Sequence, residues 1–334
     1  MIERGFASTL VLALASAGLT ACGGGGSPTP TSSTPTPTAT ASPTPSPTPT
    51  PTPPASGATQ VVTSDIQYGQ GATASGDIDL FLDIYAPDEA CDTNRPTVVF
   101  VHGGGFTSGN KSGGNISAIA EEITARGINL VSIQYRLDPQ DPLPSQAFVD
   151  VVDDIVSQSG GNAGDERLDA IAAAFEDTVS ALNFLEANQD NLCVDTSRLA
   201  YWGSSAGAFT VLQVGYGLNQ FGIARPEPEV VVDYWGGLFR DSDLEMGEAP
   251  FLVIHGTADA TVDFAEAQQI TNRAGVVAVP FALYTVNGAG HGFGATGTFT
   301  NTVDGQTLLE RTVDFVEAHL TGGTPIYGRF DVTP

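Results

Sequence analysis

The stretch "LAYWGSSAGAF", residues 199–209, decides how the rest of the chain is read. An apolar run, Leu199 to Trp202, stops at Gly203-Ser204-Ser205-Ala206-Gly207, and a second apolar segment begins at Phe209. Small residues this dense around two hydroxyls serve either close packing of a helix or a nucleophile. The pentapeptide fits G-x-S-x-G with Ser205 at its centre. It lies between a strand-like run and a helix-like run over residues 209–218, the strand–turn–helix context the pattern requires. A sharp turn there strains the serine backbone, and flanking glycines avoid Cβ clashes. The helix that follows aims its N-terminal N–H groups at the serine. Small-residue pentapeptides are common, so the rest of the chain must supply partners.

From residue 60 the chain alternates two patterns. "LFLDIYAP" (80–87), "TVVFVHGGG" (97–105), "INLVSIQYR" (128–136), "RLAYWG" (198–203), "EVVVDYW" (229–235), "PFLVIHG" (250–256) and "VPFALYTV" (279–286) read as strands. Most are near-continuous apolar runs, the mark of a parallel sheet buried on both faces. Between them, residues 116–126, 169–188, 264–274 and 307–320 carry apolar side chains at helical spacing. Strand–helix alternation predicts an α/β protein, a mostly parallel central sheet with helices on both faces. Residues 137–168 interrupt the rhythm with "RLDPQDPLPSQAF", an amphipathic piece and "SGGNAGDE", read either as a lid or pocket wall or as a surface helix with a loose turn. The tail, residues 321–334, has no clear period.

A serine at neutral pH needs a base, and the base an orienting group. Of the four histidines, His102 opens "HGGGF", His255 ends an apolar strand, and His319 falls late in the last helix and is expected at the surface. His291 sits in "NGAGHGFG", a glycine-rich loop after a strand, where catalytic groups gather in such sheets. "HGTADATVD" offers two carboxylates, Asp259 in the loop and Asp263 at the start of the next helix, and Asp259 is preferred. The glycines of "HGGGF" leave backbone N–H groups free for a developing oxyanion. A phosphate loop is the alternative, but Gly104 to Lys111 does not match G-x-x-x-x-G-K-[ST].

The order Ser205, Asp259, His291, together with "LDIYAP", "VVFVHGGGF", "VSIQYRL", "YWGSSAGA", "PFLVIHGTAD" and "GAGHGF", resembles the α/β-hydrolase fold of the esterase and lipase kind, close to bacterial carboxylesterases with an HGGG loop. The resemblance covers roughly residues 60–320. It implies a serine carboxylic-ester hydrolase working through an acyl-enzyme, with Ser205 as nucleophile, His291 as base and Asp259 as its orienter. It also implies oxyanion donors at Gly104, Gly105 and Ala206, and needs no cofactor. Ser204 departs from the Asp or Glu that such families often carry before the nucleophile. The resemblance makes the strands before "HGGG" and "GSSAG" parallel neighbours, which would bring Cys91 and Cys193 together as a disulfide. The substrate, a small-molecule or polysaccharide-linked ester, does not carry over, nor does the oligomeric state. Two other readings stay open: a peptidase of the same fold, and a non-catalytic binding lipoprotein on this scaffold. Scattered histidines and lone cysteines point to no metal site.

Residues 1–21 read as a secretory signal: Arg4 precedes an apolar stretch from Phe6 to Leu19. "LTAC" resembles the bacterial lipoprotein processing site, which would lipidate Cys22 and place the protein outside the cytoplasm, lipid-anchored to a bacterial membrane; an ordinary signal cleaved after Ala21 is the alternative. Residues 22–57, a glycine run followed by Thr-Pro and Ser-Pro repeats, can bury almost nothing and read as a disordered linker. Pro-rich chain of this length reaches roughly 80 Å. Residues 58–334 remain for one catalytic domain. A net charge of −26, with Lys111 the sole lysine, excludes nucleic acid as a partner.

Overall fold

The computed structural model describes residues 60–158, 167–293 and 297–333. These fall in one compact unit, Pro54–Pro334. The signal, anchor and linker readings at residues 1–57, and the "SGGNAGDE" turn at 159–166, lie outside the described residues.

The apolar runs form strands as their composition predicts: β2 (Ile78–Pro87), β3 (Arg95–Val101), β4 (Asn129–Ile133), β5 (Val194–Ser204), β6 (Val230–Tyr234), β7 (Phe251–Gly256) and β8 (Phe281–Val286). Three more were not legible in the sequence as strands: β1 (Gln60–Gly71) and the two-residue β9 (Thr302–Val303) and β10 (Gln306–Thr307), which pair with each other. The tail supplies β11 (Gly328–Val332), which corrects the reading of residues 321–334 as aperiodic. The main sheet runs β1-β2-β4-β3-β5-β6-β7-β8-β11. Only the β1–β2 and β2–β4 pairings are antiparallel. The remaining neighbours are parallel.

Continuous apolar strands are explained by what covers each face. Successive side chains point to opposite faces, and the core divides accordingly. Val98 and Phe100 join one cluster, together with Ile119 of α1 (Ile116–Thr124) and Val313 of α8 (Leu308–Thr321). Val99 and Val101 join the other. That second face is covered by α2 (Gln146–Gln158), α3 (Leu168–Ala187), α5 (Ala206–Leu212) and α6 (Ala265–Val277). Burying a Val or Phe side chain contributes about 1.5–3 kcal/mol, so a strand with no solvent face gains from an apolar residue at every position. Two one-turn helices, α4 (Gln189–Leu192) and α7 (Gly297–Thr300), complete the α-helices among the described residues.

Within 137–168 the amphipathic piece becomes α2, whose Phe148, Val151, Val152 and Ile155 are buried. It is therefore a packed element of the second face. A buried arginine ties the end of the β4 segment to α3 and to the segment after β1. Arg136, 1% exposed, holds Asp177 of α3 at 2.7 Å, Glu176 at 2.5 Å and the carbonyl of Ala72 at 2.9 Å. The sheet also fixes where a site can lie. The chain passes from β3 outward to β4, then returns to place β5 on the other side of β3. The loops leaving β3 and β5 therefore part at a crevice at the carboxyl ends of the strands, where open α/β sheets bind ligands.

At the opposite ends of those two strands, Cys91 and Cys193 form a disulfide with a Cα–Cα distance of 6.0 Å. The pairing implied by the resemblance is thus present, next to the Arg95–Val194 register pair. His319 is half-buried rather than at the surface: its Nδ1–H donates to Phe315 O (2.7 Å) and its Nε2 lies 2.8 Å from Tyr327 Oη.

Candidate active site

Ser205 follows the last residue of β5 and precedes the first of α5, with φ 53° and ψ −122°. That backbone is sparsely populated for a residue with a side chain. Three hydrogen bonds hold it: Ser205 N–H donates to Tyr234 O on β6 (2.8 Å), and Ser205 O accepts the N–H groups of Ala208 (2.9 Å) and Phe209 (3.2 Å). A Cβ at Gly207 would overlap the carbonyl oxygen of Val101. The glycine is required because α5 starts pressed against the end of β3.

Ser205, not Ser204, meets the histidine. His291 Nε2 lies 2.9 Å from Ser205 Oγ, and His291 Nδ1 lies 2.7 Å from Asp259 Oδ2. A carboxylate only accepts, so Nδ1 carries the proton and Nε2 presents a lone pair to the serine hydroxyl. Asp259 is fixed in turn. Its Oδ1 accepts the N–H groups of Thr261 (2.8 Å) and Val262 (3.0 Å), and its side chain is fully buried, whereas that of His291 is 24% exposed. Asp263, the other carboxylate weighed from the sequence, lies outside this chain of contacts: it is exposed, and its Oδ1 accepts Ala265 N–H at the start of α6.

The glycine loop lies beside Ser205. Gly104 and Gly105 have φ of 122° and 63°, and a Cβ at Gly104 would overlap Ser108 O. The Gly104 carbonyl accepts Thr107 N–H and Ser108 N–H, both at 3.1 Å, which turns the loop back on itself. The N–H groups of Gly104, Gly105 and Ala206 donate to no group among the described residues. His102 anchors the loop. Its Nδ1–H donates to Gly103 O (2.7 Å), its ring stacks on Tyr135 at 4.4 Å, and burial pushes its pKa down, which keeps it neutral. Lys111 secures the far end through Asp83 (2.7 Å) and Asp65 (2.8 Å).

Set against known proteins, residues 82–156 match the BD-FAE family. "Gut esterase 1" of Caenorhabditis briggsae is 30% identical over 145 residues, 43% of this chain and 22% of that protein. "Carboxylesterase NlhH" of Mycobacterium tuberculosis is 30% identical over 129 residues, 39% of this chain and 31% of that one. The chain thus spans less than a third of the length of these relatives. Among solved structures, Thermogutta terrifontis esterase 2 phosphorylated by paraoxon superposes with a TM-score of 0.58 at 18% identity, covering 79% of this chain and 96% of that one. A truncated carbohydrate esterase from gut microbiota superposes with a TM-score of 0.53 at 15% identity, covering 78% and 96%. The chain has the α/β-hydrolase fold.

Two residues beside the site were given no role from the sequence. His255, fully buried on β7, points Nε2 at Val262 O (3.0 Å) and stands 3.5 Å from Asp259 Oδ2, so it braces the turn that carries Asp259. Burial pushes its pKa down. Trp235, just past β6, sets its ring 6.5 Å from the His291 ring. Its signal was available, as a large aromatic at the carboxyl end of the strand next to the serine strand. Among the described residues no group of three or more His, Cys, Asp or Glu is placed to hold a metal.

Proposed function

We propose that this chain is a serine carboxylic-ester hydrolase. The observation that carries the reading is the continuous contact from Asp259 through His291 to Ser205, at 2.7 and 2.9 Å. Ser205 Oγ attacks the ester carbonyl carbon while His291 Nε2 takes its proton. The oxygen of the carbonyl gains negative charge between the N–H groups of Gly104, Gly105 and Ala206. The intermediate collapses: the bond to the alkoxy oxygen breaks, and His291 returns the proton to that oxygen. Water then repeats the sequence on the acyl-serine, releasing the acid and restoring Ser205. Asp259 fixes the imidazole tautomer and stabilises its cation. The names of the esterase relatives support the same reaction class, and small-molecule or polysaccharide-linked esters are the substrates to assay.

The same reading extends to the cell address. Cys22 receives the lipid, residues 23–57 form the tether, and the hydrolase domain stands off a bacterial membrane on its exported side. "LTAC" after the apolar stretch supports this. No helix among the described residues is long and apolar enough to cross a membrane.

Nitrophenyl esters of increasing acyl length, assayed with the native chain and Ser205→Ala, test the proposal. Hydrolysis by the native chain that disappears in the variant is expected. No hydrolysis of any ester by the native chain contradicts it.

A further inference from the structure

Four residues with side chains adopt positive φ at the carboxyl ends of the central strands: Phe106 (62°) after β3, Ser205 (53°) after β5, Trp235 (48°) after β6 and Phe293 (53°) after β8. Such backbone is costly for a bulky residue and persists only where the surroundings enforce it. At Trp235 the enforcing bond is its N–H donating to Ile254 O at 2.9 Å. The outcome is a fixed indole beside the triad. Its ring stands edge-on to His291 (6.5 Å, 72°) and to Phe293 (5.0 Å, 79°). Trp235 and Phe293 are both half-buried, so part of each ring remains open.

We propose that Trp235, backed by Phe293, receives the alcohol part of the ester and makes the protein select uncharged, ring-bearing alcohols. The inference rests on the reading of Ser205 as nucleophile and His291 as base. In acylation the bond between the carbonyl carbon and the alkoxy oxygen breaks, and His291 Nε2 gives that oxygen the proton taken from Ser205 Oγ. The leaving oxygen must therefore come within hydrogen-bond reach of Nε2, and the group attached to it departs alongside the imidazole. Asp259 occupies the Nδ1 edge of that ring. The acyl carbon is held at Ser205. Among the described residues, the aromatic side chain that flanks the imidazole is Trp235. Trp235 and Phe293, packed edge to face, offer an apolar corner without charge, which pairs with a ring and gives nothing to an ion.

The test varies the alcohol with the acyl group held constant. Ethyl, cyclohexylmethyl and benzyl acetate have alcohols of similar acidity, so intrinsic reactivity differs little. The native chain is expected to favour the two ring-bearing esters in kcat/KM over ethyl acetate. Trp235→Ala should lower kcat/KM for those two by about tenfold while leaving ethyl acetate within about twofold. Trp235→Phe should restore most of the loss. The acyl series, ethyl acetate to ethyl hexanoate, should keep its profile in both variants. Equal losses across the three alcohols, or a changed acyl profile with an unchanged alcohol preference, overturn the proposal. A second measurement needs no variant. During turnover of ethyl acetate by the native chain, added benzyl alcohol should capture the acyl-enzyme better than an equal concentration of propanol, and equal capture overturns the proposal. Failure of the underlying function looks different: Ser205→Ala would then retain the ester hydrolysis of the native chain.

Discussion

Asp259 and His291 meet at 2.7 Å through a carboxylate with no solvent exposure, and the other oxygen of that carboxylate is held by two backbone N–H groups. Oδ2 is thereby directed at the imidazole. Asp259→Asn presents an amide that no longer obliges Nδ1 to hold the proton. Steady-state kinetics on a nitrophenyl ester should show kcat lowered about 10³–10⁴-fold. Asp263→Asn, exposed and bonded only at the start of α6, should stay within a few-fold. Reversal of that order would remove Asp259 from the triad.

Close approach at the elbow sets a second expectation. Gly207→Ala would drive a methyl group into the carbonyl of Val101, which cannot yield without moving β3. The variant should fail to accumulate as folded protein, whereas Ser204→Ala should fold and keep near-native kcat. Soluble yield and circular dichroism decide the first point, and kinetics the second.

Much of this was legible in the sequence, for physical reasons that vary by residue. The strands β3, β5, β6 and β7 announced themselves because both faces are covered, so Val98 and Val99 are both apolar although they point to opposite clusters. Ser205, Asp259 and His291, which the structure brings into contact, could be picked out because each falls in a loop or turn leaving the carboxyl end of such a strand. The edges were hidden. The side chains of β1 are mostly exposed, and β11 is short and half-exposed, its Phe330 stacked on Tyr284 at 4.8 Å. With one face open, neither shows the run that marks a buried strand. Contacts between distant segments were hidden for a different reason. Nothing local to Arg136 indicates that Asp177 will meet it.

Stability should fall with rising pH through a buried carboxyl that is not part of the Asp259–His291–Ser205 contacts. Asp233 on β6 is fully buried, and burial pushes its pKa to about 7, while Gly236 N–H, donating to its Oδ1 at 2.7 Å, pulls the other way. A carboxyl with a raised folded-state pKa binds its proton more tightly in the folded than in the unfolded chain. Its stabilisation is therefore present at low pH and lost as pH climbs from the unfolded value of 3.8 through about 7. Asp233→Asn keeps the acceptor for Gly236 and removes the titration. Melting temperatures taken at pH 5 and pH 8 should drop less in the variant than in the native chain. An equal drop would show that Asp233 is not the source.

The disulfide should support the fold without touching the chemistry. Cys91 and Cys193 are 102 residues apart in sequence, and they join at the ends of β3 and β5 opposite the loops that carry the site. Closing a loop of that size contributes about 4–5 kcal/mol in the chain-entropy model, an upper value in practice. Cys91→Ser/Cys193→Ser should melt several degrees lower and retain native kcat. A large loss of kcat with an unchanged melting temperature would contradict this.

The central claim is that Ser205 is the nucleophile, and a serine-directed phosphonate tests it most directly. Incubation with the native chain followed by peptide mass analysis should give one adduct per chain, on the peptide containing residues 199–209 and localised by fragmentation to Ser205. Ester hydrolysis should be lost in proportion to labelling, and Ser205→Ala should take up none. An adduct on Ser204, or a Ser205→Ala variant that hydrolyses esters at near the native rate, would contradict the account.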